Sequence, residues 1–283
     1  KTTISVGRMS YEFSKTDKWN SLTKISQDNK TLLSELPRLN FWRAPTDNDF
    51  GAWDQYNLRI WQVANHHLEY KFLGQSEKEN AISMSYQCTL SGVDAKVNIT
   101  YTVNGDGILT IENEYITTSD NTPEMMRFGM QMILPLEYDN LTWYGRGPRE
   151  NYIDRNTDTF MGIWNGSVKK QAHPYYRPQE TGNKTDTRWF TLVNNKGAGL
   201  EIKGLQPLSF NATNNRIEDL DPGITKKQQH PSDIIPRKEV VLHVDLFQRG
   251  VAGLDTWRSR PLDQYRFRNK TYKFGFTLNF INE

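Results

Sequence analysis

The feature that most constrains this chain is an apolar residue at every second position, repeated in segment after segment. Ile82, Met84, Tyr86, Cys88 and Leu90 alternate with Ser83, Ser85, Gln87 and Thr89. Val97, Ile99, Tyr101 and Val103 repeat the pattern, as do Phe274, Phe276, Leu278 and Phe280 near the end. Side chains two apart share one face of a strand, so each segment offers one face to a core and one to water. Strands of this kind pair antiparallel, because parallel sheets covered on both faces run continuously apolar. Asn104-Gly105-Asp106-Gly107 separates Val97–Val103 from a strand over Ile108–Tyr115, and Asn194–Gly197 separates Leu192–Val193 from Leu200–Ile202. Asn-Gly and Asp-Gly supply the φ > 0 positions that tight hairpins need. Val240–Leu246 is a further late strand. The prediction is an all-β fold, a sandwich of two large antiparallel sheets.

One segment departs from period two. Trp53, Tyr56, Ile60, Trp61, Ala64 and Leu68 recur at three- and four-residue steps, which predicts a short amphipathic helix of about three turns. The polar stretch Asn214–Arg237 carries Pro222, Pro231 and Pro236 and reads as a long loop, since strand patterns resume on both sides. All 283 residues read as one domain. The 35 Lys and Arg nearly cancel the 33 Asp and Glu, which argues against nucleic-acid binding through bulk charge. The single Cys88 excludes an intrachain disulfide framework and a cysteine-based zinc cluster. No run approaches the roughly 18 apolar residues of a membrane span; the longest apolar stretch lies near Met130–Leu136. The chain opens Lys1-Thr2-Thr3 with no Met and no apolar signal region, so a processed chain, a subunit or a piece of a longer chain is expected. The compartment stays open between cytoplasm and periplasm.

Four segments concentrate groups able to do chemistry. Trp42–Gly51 holds Pro45 and the cluster Asp47-Asn48-Asp49, which reads as an ordered turn ending in a conformationally free Gly51. Asp47 and Asp49 are hard oxygen donors, but the acid ladder and terminal Glu of a calcium-hand loop are missing. Gly145–Arg155 has two glycines before Pro148 and suits a tight bend, with Arg149, Glu150, Asp154 and Arg155 as a candidate ion network. Its spacing is not that of a phosphate-cradling loop, and Pro148 lacks an N–H donor. Pro178–Trp189 is dense in hydrogen-bonding groups and carries Glu180, the one carboxylate to consider as a lone general base. Gln248–Trp257 is a glycine-loosened loop ending in an indole, which can stack on the C–H face of a sugar ring. No H-E-x-x-H and no G-x-S-x-G occurs, and His66, His67, His173, His230 and His243 read as structural.

These segments, in this order, resemble the C-terminal domain of glycoside hydrolase family two beta-galactosidases of the bacterial lactose-splitting type, a region that forms the small subunit in heterodimeric members. The residues that carry the resemblance are Asn40–Asp49 with Gly51, Gly145-x-Gly147-Pro148-x-Glu150-Asn151-Tyr152-x-Asp154-Arg155, Pro178-Gln179-Glu180-x-Gly182-Asn183, and Gly250-Val251-x-Gly253-x-Asp255-x-Trp257. The resemblance spans about Leu32 to the end. It implies a large β supersandwich similar to galactose mutarotase. It also implies that the catalytic glutamates lie in an upstream (β/α)8 barrel, so no catalytic residue is expected here. A retaining glycosidase needs two carboxyls roughly 5–5.5 Å apart, and no barrel motif carrying them occurs in this chain.

Residue by residue, the resemblance implies that Trp257 is a platform for the incoming disaccharide. Asp47, Asn48, Asp49 and Gly51 would belong to a mobile rim loop running to about Ile60. The sequence departs from better-known members at Ala52-Trp53-Asp54-Gln55. Asp54 falls near a magnesium-associated acid of some members and is a weak candidate ligand. The chain itself calls for no cofactor; the resemblance leaves magnesium and sodium to the barrel of the full-length enzyme. A galactoside substrate, the barrel of the same or a partner chain, and homo-oligomerisation at full length complete the expected partners, with no nucleic acid and no membrane. Two other classes stay open. One is a stand-alone aldose epimerase using Glu180 with His173 or His243. The other is a non-catalytic carbohydrate-binding module.

Overall fold

The computed structural model describes residues 1–251, 255 and 257–282. Strands β1 (Thr2–Val6), β2 (Met9–Phe13), β3 (Leu22–Gln27) and β4 (Lys30–Thr31) form a four-stranded antiparallel sheet in chain order. The later strands build a second, twelve-stranded sheet. They are β5 (Glu35–Asn40), β6 (Leu68–Lys78), β7 (Ala81–Leu90), β8 (Ala95–Asn104), β9 (Leu109–Thr117), β10 (Arg127–Pro135), β11 (Asn140–Gly147), β12 (Phe160–Ser167), β13 (Lys184–Val193), β14 (Gly199–Thr213), β15 (Glu239–Gln248) and β16 (Thr271–Ile281). The fold is all-β and antiparallel.

The two layers of the large sheet are continuous, where the sequence predicted two separate sheets. One path runs β12-β11-β13-β14-β16-β9-β8-β7-β6, and β15, β10 and β5 branch from it. The branch is β14: residues 199–204 pair with β16, and residues 209–213 pair with β15. Pro207 lies in the span between the two pairings, where a residue without an N–H costs no ladder bond. The sheet thus curls over on itself and buries its own inner face.

The period-two reading holds in the strands. Val97, Ile99, Tyr101 and Val103 are all buried, as are Met84, Tyr86, Cys88 and Leu90. The β8–β9 hairpin turns at Gly107 (φ 78°), with the Asn104 side chain accepting from the Asp106 and Ile108 N–H groups. The run near Met130–Leu136 has a different cause: β10 is buried on both faces from Arg127 to Leu134, between β5 and β15 and under β9 and β16. Phe128 on β10 joins these layers, its ring 4.9 Å from Phe274, 5.9 Å from Tyr115 and 5.9 Å from Phe41.

The single helix expected from Trp53 to Leu68 is instead two short ones, α2 (Asp54–Asn57) and α3 (Ile60–His66), preceded by a further short helix, α1 (Asp47–Gly51). Trp53 takes a left-handed conformation (φ 64°) that breaks the first junction, and Leu68 already begins β6. The apolar stripe is correct within α3, where Trp61 and Ala64 are fully buried. The long polar stretch contains one helical turn, α4 (Ile217–Leu220).

Replacing Phe128 by Ala removes the ring that three aromatic neighbours from three other segments share. The expected cost is about 3–5 kcal/mol, measured as a lowered denaturant midpoint with unchanged slope. A midpoint within error of the parent would show that this contact does not hold the layers together.

Candidate functional site

Residues 47–51, read from sequence as a loop, form helix α1 because its start is chemically specified. Thr46 accepts a hydrogen bond from the Asp49 N–H (3.1 Å), and the Asp49 carboxylate accepts from the Thr46 N–H (2.9 Å). This reciprocal cap satisfies two orphan donors, and Asp47 and Asp49 in the first turn suit the positive end of the helix. Gly51 is helical, and the left-handed residue is Trp53.

Asp49 also meets the fully buried Arg43 through two carboxylate contacts, at 2.9 and 3.1 Å. The Arg43 guanidinium continues to the carbonyls of Arg249 and Gly250, the latter at 3.1 Å. Arg249, equally buried, lies 3.4 Å from Asp49, 2.8 Å from Asp54 and 3.4 Å from Glu124. Arg260 reaches the other Asp54 oxygen at 3.2 Å. The Asn48 amide donates to the Val251 carbonyl (2.8 Å). Helices α1 and α2 are therefore tied to the end of β15 through the buried Arg43–Asp49 and Arg249–Asp54 pairs.

The other two motifs join the same junction. Gln179 donates to Asp47 and accepts from its N–H, both at 3.1 Å, while Arg177 and Lys226 each reach Asp47 at 2.9 Å. Asn151 and Asn183 exchange bonds at 2.8 Å, and Asn151 Oδ1 accepts from the Thr185 N–H and hydroxyl. Gln248 donates to Glu180 at 2.9 Å and to Asn183 at 3.1 Å. Asp154 accepts from the Val251 N–H (3.1 Å), and a Cβ on Gly250 would run into that carboxylate, so this position requires glycine. Four motifs separated by up to two hundred residues converge on one buried polar seam.

A profile of the beta galactosidase small chain matches residues 5–278. The chain belongs to the beta-galactosidase small-chain family. It is 36% identical over 248 residues to a beta-galactosidase of Priestia megaterium (strain DSM 319 / IMG 1521), covering 87% of this chain and 23% of that protein. It is also 36% identical over 252 residues to a beta-galactosidase of Lactobacillus delbrueckii subsp. bulgaricus, again over 87% of this chain and 23% of the relative. The chain thus spans about a quarter of the length of these relatives. Among solved structures, a putative aldose 1-epimerase from Escherichia coli K12 superposes with a TM-score of 0.50 at 11% identity, covering 99% of this chain and 98% of the other. That likeness concerns the fold, which is galactose mutarotase-like.

Within this small-chain fold the expected site residues take distinct places. Trp257 is 83% exposed, its N–H bonded to Asp255 at 2.6 Å; Gly253 of the same motif lies outside the described residues. Trp53 and Tyr56 on the α2 side are exposed as well. Asp54 does not fit the metal-ligand reading: it is buried, and Arg249 and Arg260 approach its two oxygens. Burial, opposed by Arg249, holds its carboxyl above the ordinary range. Among the described residues no group of three His, Cys, Asp or Glu side chains gathers as a metal site.

The base pairing considered for an epimerase is not assembled. Glu180 is buried, its Oε1 accepting from Asn211 (3.1 Å) and Gln248 (2.9 Å) and facing Arg127 at 3.6 Å. His243 is fully buried on β15 with its Nε2 3.1 Å from Gln131, and burial together with Arg127 and Arg38 keeps it neutral. His173 sits on an exposed loop against Tyr175. No hydrogen bond joins Glu180 to either histidine among the described residues. The ion network expected in Gly145–Arg155 is divided: Arg149 pairs with Asp158 at the surface, while Glu150 pairs with Arg155.

Several buried charges escaped the sequence reading. Arg43, Arg249 and Lys184 lay inside motifs, whereas Arg127 and Asp245 sit in strands outside them. The legible signal was a charge on a strand otherwise apolar, as in Val244-Asp245-Leu246. Burial pushes Asp245 up to about 7 against the pull of Arg127, 2.9 Å away.

Two outcomes follow from these charges. Asp54→Asn leaves Arg249 and Arg260 short of a counter-charge and should cost about 3–5 kcal/mol in denaturant titration; an unchanged midpoint would contradict the tether. Burial pushes the Lys184 ammonium down from 10.5 to about 8. Between those values the folded chain holds fewer protons than the unfolded one, so this group makes stability rise with pH, by about 3 kcal/mol over the window. Comparing the pH dependence of stability for Lys184→Met with that of the parent isolates the effect, and parallel curves would refute it.

Proposed function

We propose that this chain is the C-terminal part, or small subunit, of a glycoside hydrolase family two beta-galactosidase that releases terminal β-D-galactosyl groups from lactose-like substrates with retention. The observation that carries the reading is the quarter-length match. Relatives named beta-galactosidase align along 87% of this chain and extend far beyond it, at 23% coverage of their own length. The remaining length has room for a (β/α)8 barrel bearing the two catalytic carboxyls. The carboxylates of the junction described here are engaged by arginines and amide donors, which suits a scaffold and leaves the chemistry elsewhere.

In this reading the chain contributes a surface to the sugar site. Trp257 offers an indole face to the C–H face of the incoming disaccharide, and stacking excludes water there. Arg249 and Arg260, which precede and follow Trp257 in the chain, both pair with Asp54. Asp47, Asn48, Asp49 and Gly51 form the rim through α1, and Trp53 and Tyr56 extend it. Asp54 serves as a tether. The magnesium and sodium expected of the full-length enzyme belong to its barrel. The assembled enzyme is expected to be a homo-oligomer.

In the assembled enzyme, Trp257→Ala should raise KM for lactose roughly 5- to 30-fold, the equivalent of about 1–2 kcal/mol of stacking, with a smaller change in kcat. An unaltered KM would remove Trp257 from the site. The 283-residue chain alone should give no turnover of a chromogenic β-galactoside. Turnover by pure chain would place the catalytic carboxyls here after all.

A further inference from the structure

Beside the junction, a cavity of about 640 Å³ opens between residues 148–158 and residues 170–175, with Lys184 among its lining. Lys184 is 1% exposed. Its ammonium has three N–H donors but makes one hydrogen bond, to the Gly182 carbonyl at 3.0 Å, and lies 5.3 Å from the Trp143 ring. Among the described residues no carboxylate pairs with it. The nearest acid, Glu150, is already committed: it accepts from Arg155 (2.6 Å), the Gly182 N–H (2.7 Å), the Thr181 hydroxyl (3.1 Å) and the Tyr175 hydroxyl. At the mouth Arg149 pairs with Asp158 at 3.0 Å, while Lys170 is exposed and has no ion pair among the described residues. Arg149, Arg155, Lys170 and Lys184 therefore face only Glu150 and Asp158, which leaves the cavity with an excess of positive charge.

We propose that this cavity is an oxyanion site, which takes a phosphate, sulfate or carboxylate group of a small molecule onto the buried ammonium of Lys184. A buried, under-bonded ammonium is costly unless a partner supplies charge and acceptors. A lysine meets a phosphate or carboxylate as a point charge, with its free N–H groups as donors. A low-dielectric recess with excess positive charge concentrates anions at its floor. Burial lowers the proton affinity of Lys184, and the charge of Glu150 offsets this only in part. Tyr175 and His173, edge to face with centroids 4.6 Å apart, give the cavity an aromatic wall against which the remainder of a ligand can lie. The anion has two sources, a free inorganic ion or an anionic saccharide, and this site does not depend on the galactoside reading above.

The test titrates the full chain with inorganic phosphate and with galactose 6-phosphate at constant ionic strength in KCl, which separates binding from screening. Calorimetry is expected to show saturable binding of at least one of them, weakened by at least about tenfold in Lys184→Met. Galactose 6-phosphate binding about tenfold tighter than phosphate assigns the site to anionic saccharides; equal affinity assigns it to the free ion. No saturation by either ligand up to about 20 mM, or affinity unchanged in Lys184→Met, overturns the proposal. Should that variant fail to fold, Lys170→Ala at the exposed mouth is expected to weaken binding a few-fold, and unchanged affinity there overturns it equally.

Discussion

Arg43, Arg127 and Arg249 are all fully buried, and the structure depends on how their charges are met. Arg43 takes Asp49, Arg249 takes Asp54 with Asp49 and Glu124 close by, and Arg127 takes Asp245 with Glu180 beyond it. Moving such groups out of water costs several kcal/mol per ion, returned only when geometry and partners are complete. A packing that separates one pair strands a bare charge in a low-dielectric interior. The seam therefore disfavours every arrangement of these loops except the one in which all four motifs meet. Its contribution is to the choice of structure more than to the depth of the energy well.

The sheet supplies what the seam needs. Strand β14 passes from one layer to the other, and β10 lies buried on both faces between β5 and β15. Aromatic rings from both layers fill the interior, with Phe128 against Phe274 and Phe190 stacked on Phe210. Apolar burial of this kind is the main favourable term of folding. It leaves the strand ends and their loops as rigidly positioned platforms. Helices α1 and α2 follow such an end, and Arg43 and Arg249 fasten them there.

The same arginines account for the carboxylates at the junction of this small-chain domain. Its carboxylates are spent on structure: Asp49 caps a helix and holds Arg43, Asp54 anchors two arginines, and Glu180 is covered by amides. The exposed groups on the same side are aromatic, with Trp53, Tyr56 and Trp257 facing solvent. Flat apolar faces carried on a rigid base suit contact with a ring-shaped ligand. Lys184 is the exception, a buried charge without an ion pair among the described residues, and it lines a cavity beside the seam.

The sequence by itself determined the strands with clear period-two patterning, their antiparallel pairing, the tight hairpins and the small-chain family; strands β1–β6, β11 and β12 were not read from it. Period-two patterning, Asn-Gly turns and short ordered motifs are local properties, written in consecutive residues. It mistook two short helices for one, because the apolar spacing of α3 continues backwards through α2 to Trp53, whose backbone is left-handed. It read residues 47–51 as a loop although Thr46 and Asp49 spell a capping box. Only the tertiary structure decided that the two layers are one curled sheet, that the four motifs share one seam, and that Asp54 faces arginines. Those facts depend on partners far apart in the chain, such as Arg43 with Gly250 and Asp47 with Gln179. Whether a charge is buried, and beside what, is fixed by the fold as a whole and cannot be read from its neighbours in sequence.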